Sequence, residues 1–266
     1  MPRSSSLFTA ALLLLSACGG GGSGAVPPPV APTPPAPPAS APAPGPTATA
    51  LLFFGNSHTH AHELPALVGE LFRQARPGQS VRVEVAPGYF FLDERLSDAA
   101  SRRLLEAGGW SHVLLQAQKY SSSGTVQYST EEAKTWIRMS KARGATPVLF
   151  PEWPRRGVAE TARIYGLHEG IARAEAACLA PVPQAFDHVA AALPGLALHA
   201  ADGNHSSPAG ALLAAYVLYA SASGQALGSG PALLASPVEP AVQAQLRQLA
   251  AQSLAAGPAA RAYCPS

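Results

Sequence analysis

The sequence predicts an α/β domain built on a parallel sheet of about five strands, with helices on both faces. Three observations carry this. Short continuous apolar runs recur along the chain, amphipathic helical stripes lie between them, and the two alternate about five times. Of the 266 residues, the first 49 hold an apolar leader and a Gly/Pro/Ala tract, leaving 266 − 49 = 217 for a packed body. That length suits one α/β domain and supplies too few elements for a closed eightfold barrel. With 47 % hydrophobic residues the body can fill a core, which excludes a disordered chain. A formal charge of +2, from 18 basic and 16 acidic residues, gives no field that would recruit nucleic acid.

Residues 1–17 read as an export signal, with Arg3 before an apolar stretch from Leu7 to Leu15 that is too short to span a bilayer. The stretch ends in Leu15-Ser16-Ala17-Cys18, which resembles a bacterial lipobox and implies lipidation of Cys18. Residues 18–49 then form an extended linker, Gly-rich at first and dense in Pro and Ala after, with no apolar periodicity. The expected setting is the cell envelope, with a lipid anchor at Cys18 as the membrane contact. In such a compartment the two remaining cysteines, Cys178 and Cys264, are expected to pair.

The domain is expected to occupy residues 50–266. Its first strand is the apolar run Ala50 to Phe54, stopped by Gly55. Leu64, Leu67, Val68, Leu71 and Phe72 then follow a helical stripe. Further strands are expected at Val81 to Val85, Val113 to Leu115 and Pro147 to Phe150, and a weaker one near Val182 to Phe186. Ala133, Trp136, Ile137 and Ser140 mark a second helix. A third runs from Ala209 to Ala220, with Ser207 as N-cap and Pro208 at its first position. In an open parallel sheet the active site lies beyond the carboxyl ends of the strands.

Two of the loops there carry chemistry. Gly55-Asn56-Ser57-His58-Thr59-His60-Ala61-His62 follows the first strand, and Ser57 stands at a helix start, where free N–H groups favour a developing oxyanion. A lone serine there more simply caps the helix. Far along the chain, Asp202-Gly203-Asn204-His205 precedes the Ser207 cap, and an aspartate three residues before a histidine suits an acid that orients a base. No G-x-S-x-G is present, so a nucleophile elbow is not supported.

Together these two motifs resemble those of the SGNH/GDSL hydrolase family. Phe53-Phe54-Gly55-Asn56-Ser57 is similar to its first block, with Asn56 in place of the commoner aspartate, and Asp202-Gly203-Asn204-His205 to its last. The resemblance implies a flavodoxin-like three-layer α/β/α fold and ester hydrolysis without a metal or other cofactor. It also implies Ser57 as nucleophile, His205 as general base and Asp202 as its orienter. The oxyanion hole would be built from the Ser57 and Gly88 N–H groups and a side-chain amide. The family's usual third-block asparagine is absent, since the third strand ends Leu115-Gln116-Ala117-Gln118. Gln116 is the expected donor, with Gln118 as the alternative because the two point to opposite faces of a continued strand. Some carbohydrate-esterase relatives carry a glutamine there, which implies a short acyl group, such as acetyl, on a carbohydrate as substrate.

Glu152 and Trp153 follow the fourth strand at the same rim, where Trp153 either stacks on a sugar or packs under its own loop. Two rival readings remain. His58, His60 and His62 alternate as in some metal-dependent hydrolases. A non-catalytic binding lipoprotein on the same scaffold is the other.

Overall fold

The computed structural model describes residues 48–257, 259 and 261–265, so the expected leader, the lipidated Cys18 and the linker through residue 47 lie outside the described residues. Five parallel strands form one sheet: β1 (Thr49–Phe54), β2 (Val81–Val85), β3 (His112–Leu115), β4 (Thr146–Leu149) and β5 (Cys178–Leu179), in the order β2-β1-β3-β4-β5. The register aligns Phe54, Leu115, Leu149 and Leu179 at one rim. The chain reverses direction across the sheet at β1, which places a crevice beyond its carboxyl end.

β1 is buried along its whole length because helices cover both faces of the sheet. Its side chains alternate between two cores. Leu51 and Phe53 join Leu114 and Val148 under α2 (Leu64–Ala75), α7 (Val182–Ala192), α8 (Pro208–Ser223) and α9 (Pro240–Ala256). Leu52 and Phe54 join Val113, Leu115 and Leu149 under α3 (Leu92–Ser97), α4 (Ala99–Glu106), α5 (Glu131–Ala142) and α6 (Thr161–Ala174). Each such fully buried Leu or Phe contributes about 1.5–3 kcal/mol relative to exposure. A three-layer α/β/α sandwich results.

The fifth strand is not where the apolar run suggested. Val182 to Phe186 opens α7, and its buried residues Val182, Ala185, Phe186 and Val189 follow helical spacing, with a proline in the first turn. The strand itself is the two-residue β5, just upstream. α8 matches expectation, with the Ser207 hydroxyl accepting from Gly210 N at 3.1 Å. It is apolar all round and therefore needs cover on every side, which α2, α7 and the unforeseen α9 provide. No helix among the described residues is long and apolar enough to cross a membrane.

Cys178 at the start of β5 is disulfide-bonded to Cys264 near the chain end, with Cα atoms 4.1 Å apart and 86 positions apart in sequence. Under the chain-entropy model a loop of that length stabilises by about 4.6 kcal/mol. Unfolding in urea with and without a reductant, or of Cys264→Ser, should therefore show a markedly lower midpoint for the open form. An unchanged midpoint would mean that the tail adds nothing to stability.

Candidate active site

The reacting groups start from the turn that closes β1. At Gly55 a Cβ would lie 2.0 Å from Thr59 Oγ1 and 2.5 Å from Gln116 Oε1, so only glycine admits this approach. Asn56 caps α1 (Ser57–His60), its side chain accepting from His58 N at 3.0 Å. Its own N–H donates to Gln116 Oε1 at 2.9 Å. Ser57 is thus the first residue of α1, and its Oγ lies 2.8 Å from His205 Nε2.

His205 arrives from the opposite side of the sequence on a clamped loop. His199 and Ser206 form an antiparallel bridge, and Gly210, whose Cβ would lie 2.1 Å from Leu198 O, lets α8 start directly against it. Asp202 Oδ2 lies 2.6 Å from His205 Nδ1, while Oδ1 accepts from the N–H groups of Asn204 (2.9 Å) and His205 (3.0 Å). The hydrogen bond from His205, and then that from Asn204 N–H, hold the Asp202 carboxyl down at about 2. An ionised carboxylate only accepts, so Nδ1 of neutral His205 carries the proton and Nε2 presents its lone pair to the Ser57 hydroxyl.

The loop after β4 fastens this arrangement. Trp153 Nε1 donates to Asn204 O at 2.8 Å, and Arg156 N donates to Gly203 O at 2.8 Å. Trp153 is 1 % exposed and stacks on Phe186 with centroids 5.2 Å apart, so of its two readings the packed one holds. His58 stacks on His205, centroids 5.0 Å apart, and its pKa is pulled down to about 4 by burial first and the neighbouring His205 second. The three alternating histidines do not converge. His58 faces Asn56 Oδ1 (3.2 Å), His60 meets the Tyr89 ring edge-on (4.8 Å), and His62 Nε2 contacts Ser206 O (3.0 Å).

Among the described residues, the N–H groups of Ser57 and Gly88 have no hydrogen-bond acceptor. Gly88 has a φ of +78° on the exposed loop after β2, a conformation that favours glycine. The glutamines require a correction. β3 stops at Leu115, and Ala117 takes a φ of +77°, so Gln116 and Gln118 are not alternating strand positions. Gln118 Nε2 donates to Lys119 O and Ser129 O, both at 2.9 Å, and ties a loop. Gln116 is 0 % exposed: its Oε1 accepts from Asn56 N and the Thr59 hydroxyl (2.8 Å), and its Nε2 donates to Glu152 at 3.2 Å. It supports the nucleophile turn from below rather than presenting a free amide. Glu152, whose side chain is 16 % exposed, is pushed up to about 7, chiefly by burial. Two residues escaped the sequence reading in this role: Glu152 as the brace of Gln116, and Arg95, whose buried guanidinium reaches Gly55 O and Gly88 O. Arg95 follows Asp93 and Glu94 in the charged first turn of α3, so nothing local in the sequence marks it as the buried one.

Gln116→Ala leaves the buried Asn56 N–H and Thr59 hydroxyl without an acceptor, at about 1–3 kcal/mol each. It should lower both the thermal midpoint and kcat, whereas Gln118→Ala should spare kcat; equal kcat in both would dissociate the turn from Gln116. Folded Glu152 keeps its proton to about 7 against 4.5 in the unfolded chain, so its contribution is present at low pH and lost as pH rises through that window. Urea unfolding across it should show a decline that Glu152→Gln flattens.

No protein-family model matches the chain, and no curated protein matches it by sequence. Among solved structures, a candidate SGNH hydrolase from Slackia heliotrinireducens aligns with a TM-score of 0.53 at 29 % identity, over 65 % of this chain and 98 % of that one. A DUF4886 family protein from Bacteroides uniformis aligns with a TM-score of 0.58 at 12 % identity, over 79 % of this chain and 95 % of that one, a likeness of fold alone. The fold that the first and last motifs imply is thus the one the chain adopts, and its likeness to an SGNH hydrolase supports an enzyme of the serine ester hydrolase type in the SGNH/GDSL family.

Proposed function

We propose that the enzyme removes short acyl groups, acetyl foremost, from a carbohydrate, with Ser57 as the acylated nucleophile, His205 as general base and Asp202 as its orienting acid. The observation that carries the roles is the unbroken hydrogen-bond chain from Ser57 Oγ through the His205 ring to Asp202. Ser57 Oγ attacks the ester carbon as its proton passes to His205 Nε2, and the carbonyl electron pair moves onto oxygen. The oxyanion is received by the Ser57 and Gly88 N–H groups, where one donor is worth roughly 10²–10³ in rate. Asp202, ionised, stabilises the imidazolium. Collapse breaks the carbon–oxygen bond to the alcohol, which takes the proton from Nε2. Water then repeats the sequence on the acyl-enzyme, releasing the acid and restoring Ser57.

Support for a carbohydrate as the alcohol comes from a cavity of about 470 Å³ that includes Glu152, Asn204, Tyr120, Tyr128 and Lys119. Its polar groups suit a polyol, and its aromatic rings suit a sugar face. The preference for a short acyl group rests on the resemblance to carbohydrate esterases with a glutamine at the third strand end. The disulfide supports export to an oxidising compartment, in keeping with an envelope location and an anchor at Cys18.

A serine-directed phosphonate should add to Ser57, as peptide mass spectrometry would reveal, and Ser57→Ala should be inert to it. Asp202→Asn should fold normally yet lose about 10⁴ in kcat, because the amide favours the wrong histidine tautomer. Near-wild-type turnover in that variant would remove Asp202 from the triad. Against a panel of esters, acetylated sugars should give a higher kcat/KM than long-chain acyl esters; the reverse order sinks the substrate assignment.

A further inference from the structure

Arg95, on α3, is 0 % exposed, yet none of its N–H groups meets a carboxylate. Nη2 donates to Gly55 O (2.5 Å) and Gly88 O (2.8 Å), and Nη1 donates to Pro87 O (3.1 Å) and Ser101 Oγ (2.9 Å). The nearby Asp98 instead accepts the Ala100 and Ser101 N–H groups at the start of α4. Phe54 and Phe90 stand over the guanidinium, their centroids 5.6 and 5.5 Å from its carbon. Burial pulls its pKa down to about 10, which leaves it charged at neutral pH. Burying a cation without a contacting counter-ion costs several kcal/mol, and a neutral side chain would tie two loops together more cheaply. The carbonyls it selects suggest what the charge is for.

Two of the three held carbonyls belong to peptide units whose other ends bear on the reaction. The Gly55 carbonyl shares its peptide with the Asn56 N–H, which Gln116 Oε1 accepts, so the plane leading into Ser57 is fixed at both ends. The Pro87 carbonyl shares its peptide with the Gly88 N–H. No peptide bond among the described residues is cis, and in a trans unit that N–H points away from Arg95. It has no acceptor among the described residues. A cation on the oxygen also polarises the peptide and strengthens its N–H as a donor.

We propose that Arg95 is a positioning residue of the oxyanion hole: its fork locks the Pro87–Gly88 peptide to the Gly55–Asn56 turn and aims a polarised Gly88 N–H at the oxyanion formed on Ser57. The proposal rests on the serine hydrolase reading. Its effect belongs to the transition state, where the oxygen is charged, and not to the neutral bound ester.

The test compares wild type, Arg95→Lys and Arg95→Met on an aryl acetate, together with inhibition by benzeneboronic acid, which forms an anionic tetrahedral adduct on serine. Arg95→Met should lower kcat by roughly 10²-fold, the scale of one oxyanion donor, with KM changed by less than about twofold. Boronate affinity should fall in parallel with kcat/KM. Arg95→Lys, which keeps the charge but not the fork, should fall between the two and decides the matter if Arg95→Met does not fold. A folded variant with wild-type kcat, or a loss confined to KM, overturns the proposal. In the wild type, the Gly88 amide proton should move downfield in the NMR spectrum on phosphonate addition, and a stationary resonance overturns it without any mutant. If the phosphonate fails to modify Ser57, the fault lies with the serine hydrolase reading instead.

Discussion

Position 55 has no room for a side chain, and the active site is organised around that fact. A methyl group there would lie 2.0 Å from Thr59 Oγ1 and 2.5 Å from Gln116 Oε1. Because glycine leaves the space open, Gln116 can accept the Asn56 N–H and the Thr59 hydroxyl at once. The turn out of β1 is therefore tight enough for α1 to begin at Ser57. The carbonyl of the same glycine meets Arg95, which links this turn to the Gly88 loop. Gln116 and, through Arg95, the Gly88 loop are thus tied to the one Gly55–Asn56 peptide unit that leads into Ser57.

The electrostatics around it are graded. Asp202 sits outermost and stays ionised because His205 and Asn204 donate to it. His58 lies on the inner side of the base and stays neutral through burial. That neutrality matters to the proposed mechanism, since a second positive ring stacked at 5.0 Å would oppose an imidazolium at His205. Glu152, beneath Gln116, keeps its proton to about 7 because burial disfavours its charge, so little negative charge accumulates under the turn that carries Ser57. Arg95 provides a positive counterpart behind the Gly88 peptide.

Much of this was legible in the sequence where the information is local. The first strand and its Gly-Asn-Ser turn, the Asp-x-x-His loop and the Ser207 cap each lie within a few consecutive residues, and all three stand where the pattern put them. What escaped depends on long-range packing. Arg95 reaches Gly55 across 40 positions, and no periodicity encodes that contact. Gln116 looked like a strand-end donor until Ala117, in a left-handed conformation rare for a non-glycine residue, ended the strand and turned the amide toward Glu152. The fifth strand has two residues, too few to register against the longer apolar run that opens α7. α9 went unforeseen because only the all-round burial of α8 calls for it.

In the proposed mechanism the charge formed as Ser57 attacks the ester moves onto an oxygen held by two backbone N–H groups. A crystal structure of the phosphonate adduct measures this directly, because the phosphonyl oxygen takes the place of the oxyanion. That oxygen is expected at about 2.7–3.1 Å from both the Ser57 and Gly88 nitrogens, with Gln116 still turned to Glu152. An oxygen bound by the Gln116 amide, or pointing into solvent away from Gly88, would contradict the proposed mechanism.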